Sequence, residues 1–120
     1  MAEVKASFDL TTLEGKKRLF NAKSGSSISM KTLDNGTELE VVGVIQYPEI
    51  IDTYGNGQEG TVTVLYTADG HSYAAVSETV ARAASALIDF FNETGVDSVI
   101  VRVVKAKSSK NNEFLNLELL

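Results

Sequence analysis

All four tyrosines of the chain fall between Gln46 and Ala74, in the stretch QYPEIIDTYGNGQEGTVTVLYTADGHSYA. Tyr47 and Tyr54 flank or sit in a Gly/Asn-rich connection between apolar, β-branched runs, and Tyr73 follows the tight-turn signal Asp69-Gly70. Rings at strand ends and in a glycine-bearing loop are poor material for a buried core. They suit a surface on which flat partners stack, and unpaired nucleic-acid bases are the commonest such partners. Tyr47, Tyr54 and Tyr73 are therefore candidate stacking residues, although a tyrosine at a strand end is also an ordinary half-buried packing residue. Tyr66 occupies a core-like strand position and is left out of the set.

Phosphate would need cations, and the chain carries a formal net charge of −5. Placement matters more than the sum. Between Pro48 and Val99 the only cation is Arg82, while the rest lie toward the two ends of the chain. If those ends meet on one face, a basic groove can exist on an acidic protein, whose remaining surface repels wrongly oriented polyanions. The candidate phosphate contacts are Lys16, Lys17, Arg18, Lys31, Arg102, Lys105, Lys107 and Lys110. For Lys16-Lys17-Arg18 a solvated face is an equal alternative. Arg102 reads either as a barrel-face residue with an ion-pair partner or as a phosphate contact.

Other chemistries find little support. There is no cysteine, so disulfides and thiolate metal sites are excluded, and the lone His71 has no companion for a zinc site or a triad. DTYGNG lacks the Gly-Lys-Ser/Thr ending of a phosphate-cradling loop. Asp52, Glu59 and Asp69 have no metal-ligand spacing. A binding protein without cofactor is expected, not an enzyme. No secretory leader or membrane span is expected either.

The elements that must position these residues read as follows. Residues 3–9 (EVKASFD) alternate like a half-buried strand, and KKRLFNA and the turn-rich NAKSGSS follow. TELEVVGVIQY reads as a strand with Leu39, Val41, Gly43 and Ile45 on one face; Gly43 implies a bulge or a sharp coil, and Pro48 ends regular pairing or marks an edge. TVTVLYT and HSYAAVS form a hairpin around Ala68-Asp69-Gly70. Ser77 then caps a helix whose stripe is Val80, Ala83, Ala84, Leu87, Ile88 and Phe91, closed by Gly95. SVIVRVV and EFLNLELL are the last strands, joined by the basic loop KAKSSKNN. Phe114, on the polar side of its strand, reads as a stacking residue or a minor-core plug. The expected fold is mainly β with one helix (α+β): an OB-fold-like five-stranded barrel with an additional N-terminal hairpin, a single domain over residues 1–120.

LEG at 13–15 with FNA at 20–22, then DNGTELE, QY, DTYG, TVT, ADGHSYAA, SETVARAASALID, VVKAKSSKNNEF and LNLEL together resemble the single-stranded DNA-binding proteins of φ29-like bacteriophages. The resemblance implies a sequence-independent binder that coats and protects displaced strands during protein-primed phage replication, in the cytoplasm of the infected bacterium. It implies that Tyr47, Tyr54 and Tyr73 contact single-stranded DNA, and that any further partners are phage replication proteins. It also implies a monomer, the family's hexamer-forming branch being associated with a longer amino terminus. The rival reading is a small phage structural or assembly β-module using the tyrosines for protein–protein contacts.

Overall fold

The structure, a computed structural model, describes residues 4–25, 27–51, 58–107 and 113–120; the side chains of 50, 51, 58, 59, 107, 113 and 114 stand outside the description. Along the chain the elements are β1 (Lys5–Ala6), α1 (Leu13–Lys23), β2 (Ile28–Ser29), a 3₁₀ turn (Met30–Thr32), β3 (Glu38–Ile51), β4 (Gln58–Thr67), β5 (Ser72–Ala75), α2 (Glu78–Thr94), β6 (Val99–Lys107) and β7 (Glu113–Leu119). From β3 onward this is the expected order of three strands, a helix and two strands. Before β3 it is not. Instead of a hairpin there is a two-residue strand paired antiparallel with β3, a second helix, and then the two-residue β2, which pairs with β5 rather than with β1.

β3 is the spine of a single seven-stranded sheet in the order β2-β5-β4-β3-β6-β7, with β1 also on β3. The bulge falls where Gly43 stands, between the pairs Val41↔Thr67 and Gly43↔Tyr66. An extra residue in a strand reverses which side later side chains face. Leu39 and Val41 lie in one core, and beyond the bulge Val44 joins them. Ile45 and Tyr47 thereby turn to the opposite face and a second core. The displaced backbone is not left unpaired, because the Val44 amide donates to Ser7 Oγ at 2.9 Å. Pro48 does not end the pairing: β3 continues opposite Thr61, Gly60, Glu59 and Gln58.

The larger core lies under α2. Ser77 caps this helix, accepting the Val80 amide, and Gly95 ends it at φ 68°, a left-handed conformation that glycine adopts without a Cβ penalty. Val80, Ala84, Leu87, Ile88 and Phe91 face the sheet. Buried Gln46 ties the two layers, donating from Nε2 to the Ala81 carbonyl at 2.6 Å and to Thr63 Oγ1 at 3.2 Å. Lys5 adds an ion pair to Asp89 at 2.9 Å and a hydrogen bond to Ser85 Oγ at 2.9 Å, so β1 is held against α2.

Residues 28–37 bridge the sheet's two halves. Ile28 and Ser29 pair parallel with Tyr73 and Ala74 of β5, Met30 is wholly buried, and the Gly36 amide donates to the Val103 carbonyl of β6 at 2.7 Å. β5 and β6 are separated in the sheet by β4 and β3, so one short segment reaching both requires the sheet to curl on itself. The result is mainly β with two helices, one on each face. No helix among the described residues is long and apolar enough to cross a membrane.

Candidate functional site

α1 is the element the site is built on, and its sequence explains how it docks. Thr12 Oγ1 accepts the Gly15 amide at 3.0 Å, Glu14 stands in the first turn and Lys23 in the last, favourable ends for the helix dipole. Its sheet-facing side is small, with only Gly15 and Ala22 buried. A Cβ at Gly15 would sit 2.0 Å from the Asp9 carbonyl oxygen, so the helix start can pack there only without a side chain.

Three side chains hold α1 to the sheet. Tyr47 Oη donates to the Ala22 carbonyl at 3.1 Å, at the helix C-terminus, where that carbonyl also accepts the Gly25 amide at 3.3 Å. Tyr66 Oη donates to the Arg18 carbonyl at 2.9 Å. The Arg18 guanidinium lies over the Phe8 ring, 4.8 Å from its centroid, and over the Tyr66 ring at 5.1 Å. Phe8 and Tyr66 meet edge-to-face at 5.8 Å. Gly43 makes room for this cluster: a Cβ there would come within 3.1 Å of Arg18 Nη1 and 3.3 Å of Phe8 Cδ1. Burial pushes the Tyr66 phenol up to about 12, with Arg18 opposing, and burial first and Glu49 second raise Tyr47. Both phenols therefore stay protonated as donors at neutral pH.

This corrects two expectations. Tyr47 is not an outward ring; it is 4% exposed, mid-strand and beneath α1. Nor do Tyr47 and Tyr73 share a face. Tyr73 is half-buried and packs against the α2 core, while Tyr47 belongs to the α1 side. Tyr73 lies beside exposed His71, ring centroids 6.4 Å apart. Tyr54 and Lys110 lie outside the described residues, as do the side chains of Lys107 and Phe114.

The cations separate into groups. Lys16, Lys17 and Lys23 are exposed on α1. Lys105 Nζ donates to the Lys31 backbone carbonyl at 2.7 Å, which brings segments from the two chain ends into contact there. Arg102 is paired with Glu38 at 3.6 Å, the ion-pair alternative foreseen for it. Arg18 is engaged by rings, yet it also lines a cleft of about 370 Å³ between α1 and the β4–β5 turn, shared with Asn21, Ile28, Tyr66, Gly70, His71 and Ser72. The segment from Ile28 to Lys31 leads from this cleft to the Lys31–Lys105 contact.

The chemistry this arrangement supports is binding. Asp69 and His71 pair at 3.0 Å through Nδ1, but Asp69 is also the acceptor for Thr67 Oγ1 and the His71 amide. Hydrogen bonds from Thr67 and then His71 hold its carboxyl down at about 2. A carboxylate so engaged fastens the turn. Thr67 bonds to the acid and to the His71 carbonyl, and no recorded bond joins its hydroxyl to the imidazole as a nucleophile–base pair would need. Among the described residues no group of three His, Cys, Asp or Glu is placed to hold a metal ion. What remains is a groove with a guanidinium, aromatic edges and neighbouring lysines, suited to an anionic ligand with planar groups.

Sequence reasoning missed α1 and with it the cleft. The signals were present in Thr12, Glu14 and Lys23, but no apolar stripe accompanied them, because Leu13 and Phe20 point to solvent.

Comparison with known proteins yields relatives along the whole chain. The profile of a φ29-type family described as phage single-stranded DNA-binding protein matches residues 1–120. A single-stranded DNA-binding protein of Bacillus phage B103 is 49% identical over 118 residues, covering 98% of this chain and 97% of the relative. Proteins of the same description from Bacillus phages PZA and phi29 are each 47% identical over 116 residues, covering 97% of this chain and 94% of theirs. No solved structure matches the chain.

Proposed function

The chain belongs to the φ29-type family of phage single-stranded DNA-binding proteins, and from that membership we propose that it binds single-stranded DNA without sequence choice, along α1 and the cleft beside it. The observation that carries this location is the coincidence of the cleft lined by Arg18, Tyr66 and His71 with the exposed lysines of α1. Elsewhere the protein is acidic enough to repel a polyanion. The strand then continues past Ile28 toward Lys31 and Lys105. Tyr73, half-buried beside cleft-lining His71, is retained as a proposed stacking residue at the edge of this path, and Tyr54, outside the described residues, stays a proposed contact on the resemblance alone. Tyr47 serves by holding α1. Lys107, Lys110 and Phe114 stay proposed contacts on the sequence pattern alone, and the curled sheet we read as an OB-like barrel with α2 packed against it.

Stacking on an aromatic contributes about 1–3 kcal/mol per base and accepts any base. Duplex DNA hides its base faces, so discrimination against it follows. The biological role we infer is coating of strands displaced during protein-primed phage replication, by a monomer in the infected bacterial cytoplasm, with phage replication proteins as further partners.

Because the chain has no tryptophan, its intrinsic emission comes from tyrosine. Titration with oligo-dT should quench that emission saturably, and duplex of equal length should not. No response to either and no gel shift would return the protein to the class of structural modules, and equal response to both would refute the preference for single strands.

A further inference from the structure

We propose that Phe20 is a base-stacking residue and that the outer face of α1, with Lys16, Lys17 and Lys23 around that ring, carries single-stranded DNA. This rests on the binding function proposed above and extends it to a surface that neither the tyrosine pattern nor the cleft contains. Phe20 is 73% exposed, the most of any large apolar side chain among the described residues. An isolated exposed hydrophobe needs no explanation, but this one has particular company. Residues three and four apart on a helix are neighbours on its surface. Lys16, Lys17 and Lys23 stand four before, three before and three after Phe20, all exposed, and Leu13, 69% exposed, lies two turns back on the same side. Gly15 and Ala22, buried against the sheet, fall on the opposite side of the helix. Glu14, the one carboxylate of α1, is rotated about 120° away from Phe20.

A ring flanked by three ammonium groups complements a polymer of alternating planar bases and phosphates. A protein partner fits less well. One phenylalanine and one leucine on an 11-residue helix offer far less than the roughly 800 Å² per partner of a standard interface. The placement is also continuous with the cleft, since Lys17 and Asn21 lie between Phe20 and Arg18 around the helix, with Glu14 on that side one turn nearer the helix start.

Phe20→Trp introduces the only tryptophan and reports from this position alone. Its emission should be quenched by oligo-dT over the range in which the tyrosines respond. Phe20→Ala and Phe20→Leu should each weaken oligo-dT binding by roughly 5- to 150-fold, the range for losing one base stack, with Phe20→Tyr near wild type and no melting temperature lowered. If the wild-type protein does not bind oligo-dT, the function itself is wrong. If it binds and Phe20→Ala or Phe20→Leu binds equally well, or the tryptophan is unaffected, the stacking role is overturned. A change in self-association without a change in DNA affinity overturns it too and makes the face a contact between copies of the chain.

Discussion

Arg18→Ala is expected to weaken single-stranded DNA binding by about tenfold or more while lowering the melting temperature only by a few degrees. The guanidinium does two things at once. It lies over Phe8 and Tyr66 at 4.8 and 5.1 Å, and it lines the cleft beside α1. Cation–π contacts run from about 0.5–1 kcal/mol where exposed to about 2 kcal/mol where desolvated, and half-buried Arg18 falls between these limits. That loss is small beside the α2 core but large for α1, which buries little of its own surface. Freed at its centre, the helix would keep the phenols of Tyr47 and Tyr66 and the small contacts of Gly15, Leu19 and Ala22. Faster amide exchange through residues 13–23, with α2 unchanged, would report the loosening. Arg18→Lys keeps the charge but loses the planar face, so it should restore part of the DNA affinity and little of the α1 protection. Wild-type affinity in Arg18→Ala would remove α1 from the binding surface.

The second large effect is electrostatic. Replacing Lys16, Lys17 and Lys23 together by Gln should make affinity for oligo-dT less salt-dependent by roughly two log units per log unit of salt, from about 0.7 for each phosphate neutralised on a single strand. By the same relation, binding near 0.1 M salt should weaken about 100-fold and approach wild type near 1 M. Stability should hardly change, because all three are exposed and Lys23 alone has a ring contact, 5.8 Å from the Tyr47 centroid. Arg82→Gln, exposed on α2 across the sheet, is the control and should leave the slope as it was. Equal slopes in the triple variant and wild type would mean that the phosphates lie elsewhere.

How far this site could be seen in advance depended on which residues carry the packing. α2 was legible because its buried face is apolar at helical spacing between Ser77 and Gly95. The β4–β5 hairpin was legible from Asp69-Gly70, and the bulge from Gly43. What the bulge does was harder. It transfers Val44 to the side of Val41 and sends Ile45 and Tyr47 to the other face, so strict alternation through residue 43 misplaces every later side chain of β3. Tyr47 looked like a strand end because Pro48 follows, yet the strand runs on to Ile51. α1 was illegible for a related reason. It docks through Gly15, Ala22, half-buried Leu19 and the face of a guanidinium, too few apolar positions to make a stripe, while Leu13 and Phe20 point outward. That reversal is also why the helix is of interest: a side chain the core did not take is available to a ligand. The cations could be listed from the sequence, but only tertiary structure could separate Arg102, held by Glu38, from the exposed lysines of α1.

The most direct measurement is a backbone amide chemical-shift titration of the wild-type protein with oligo-dT at low salt. Binding along α1 and the cleft predicts perturbations concentrated in residues 13–23, in Ile28–Lys31 and in Gly70–Tyr73, with the outer side of α2 silent. Perturbations gathered on α2 or on the outer edge of β7, with α1 unmoved, would contradict it.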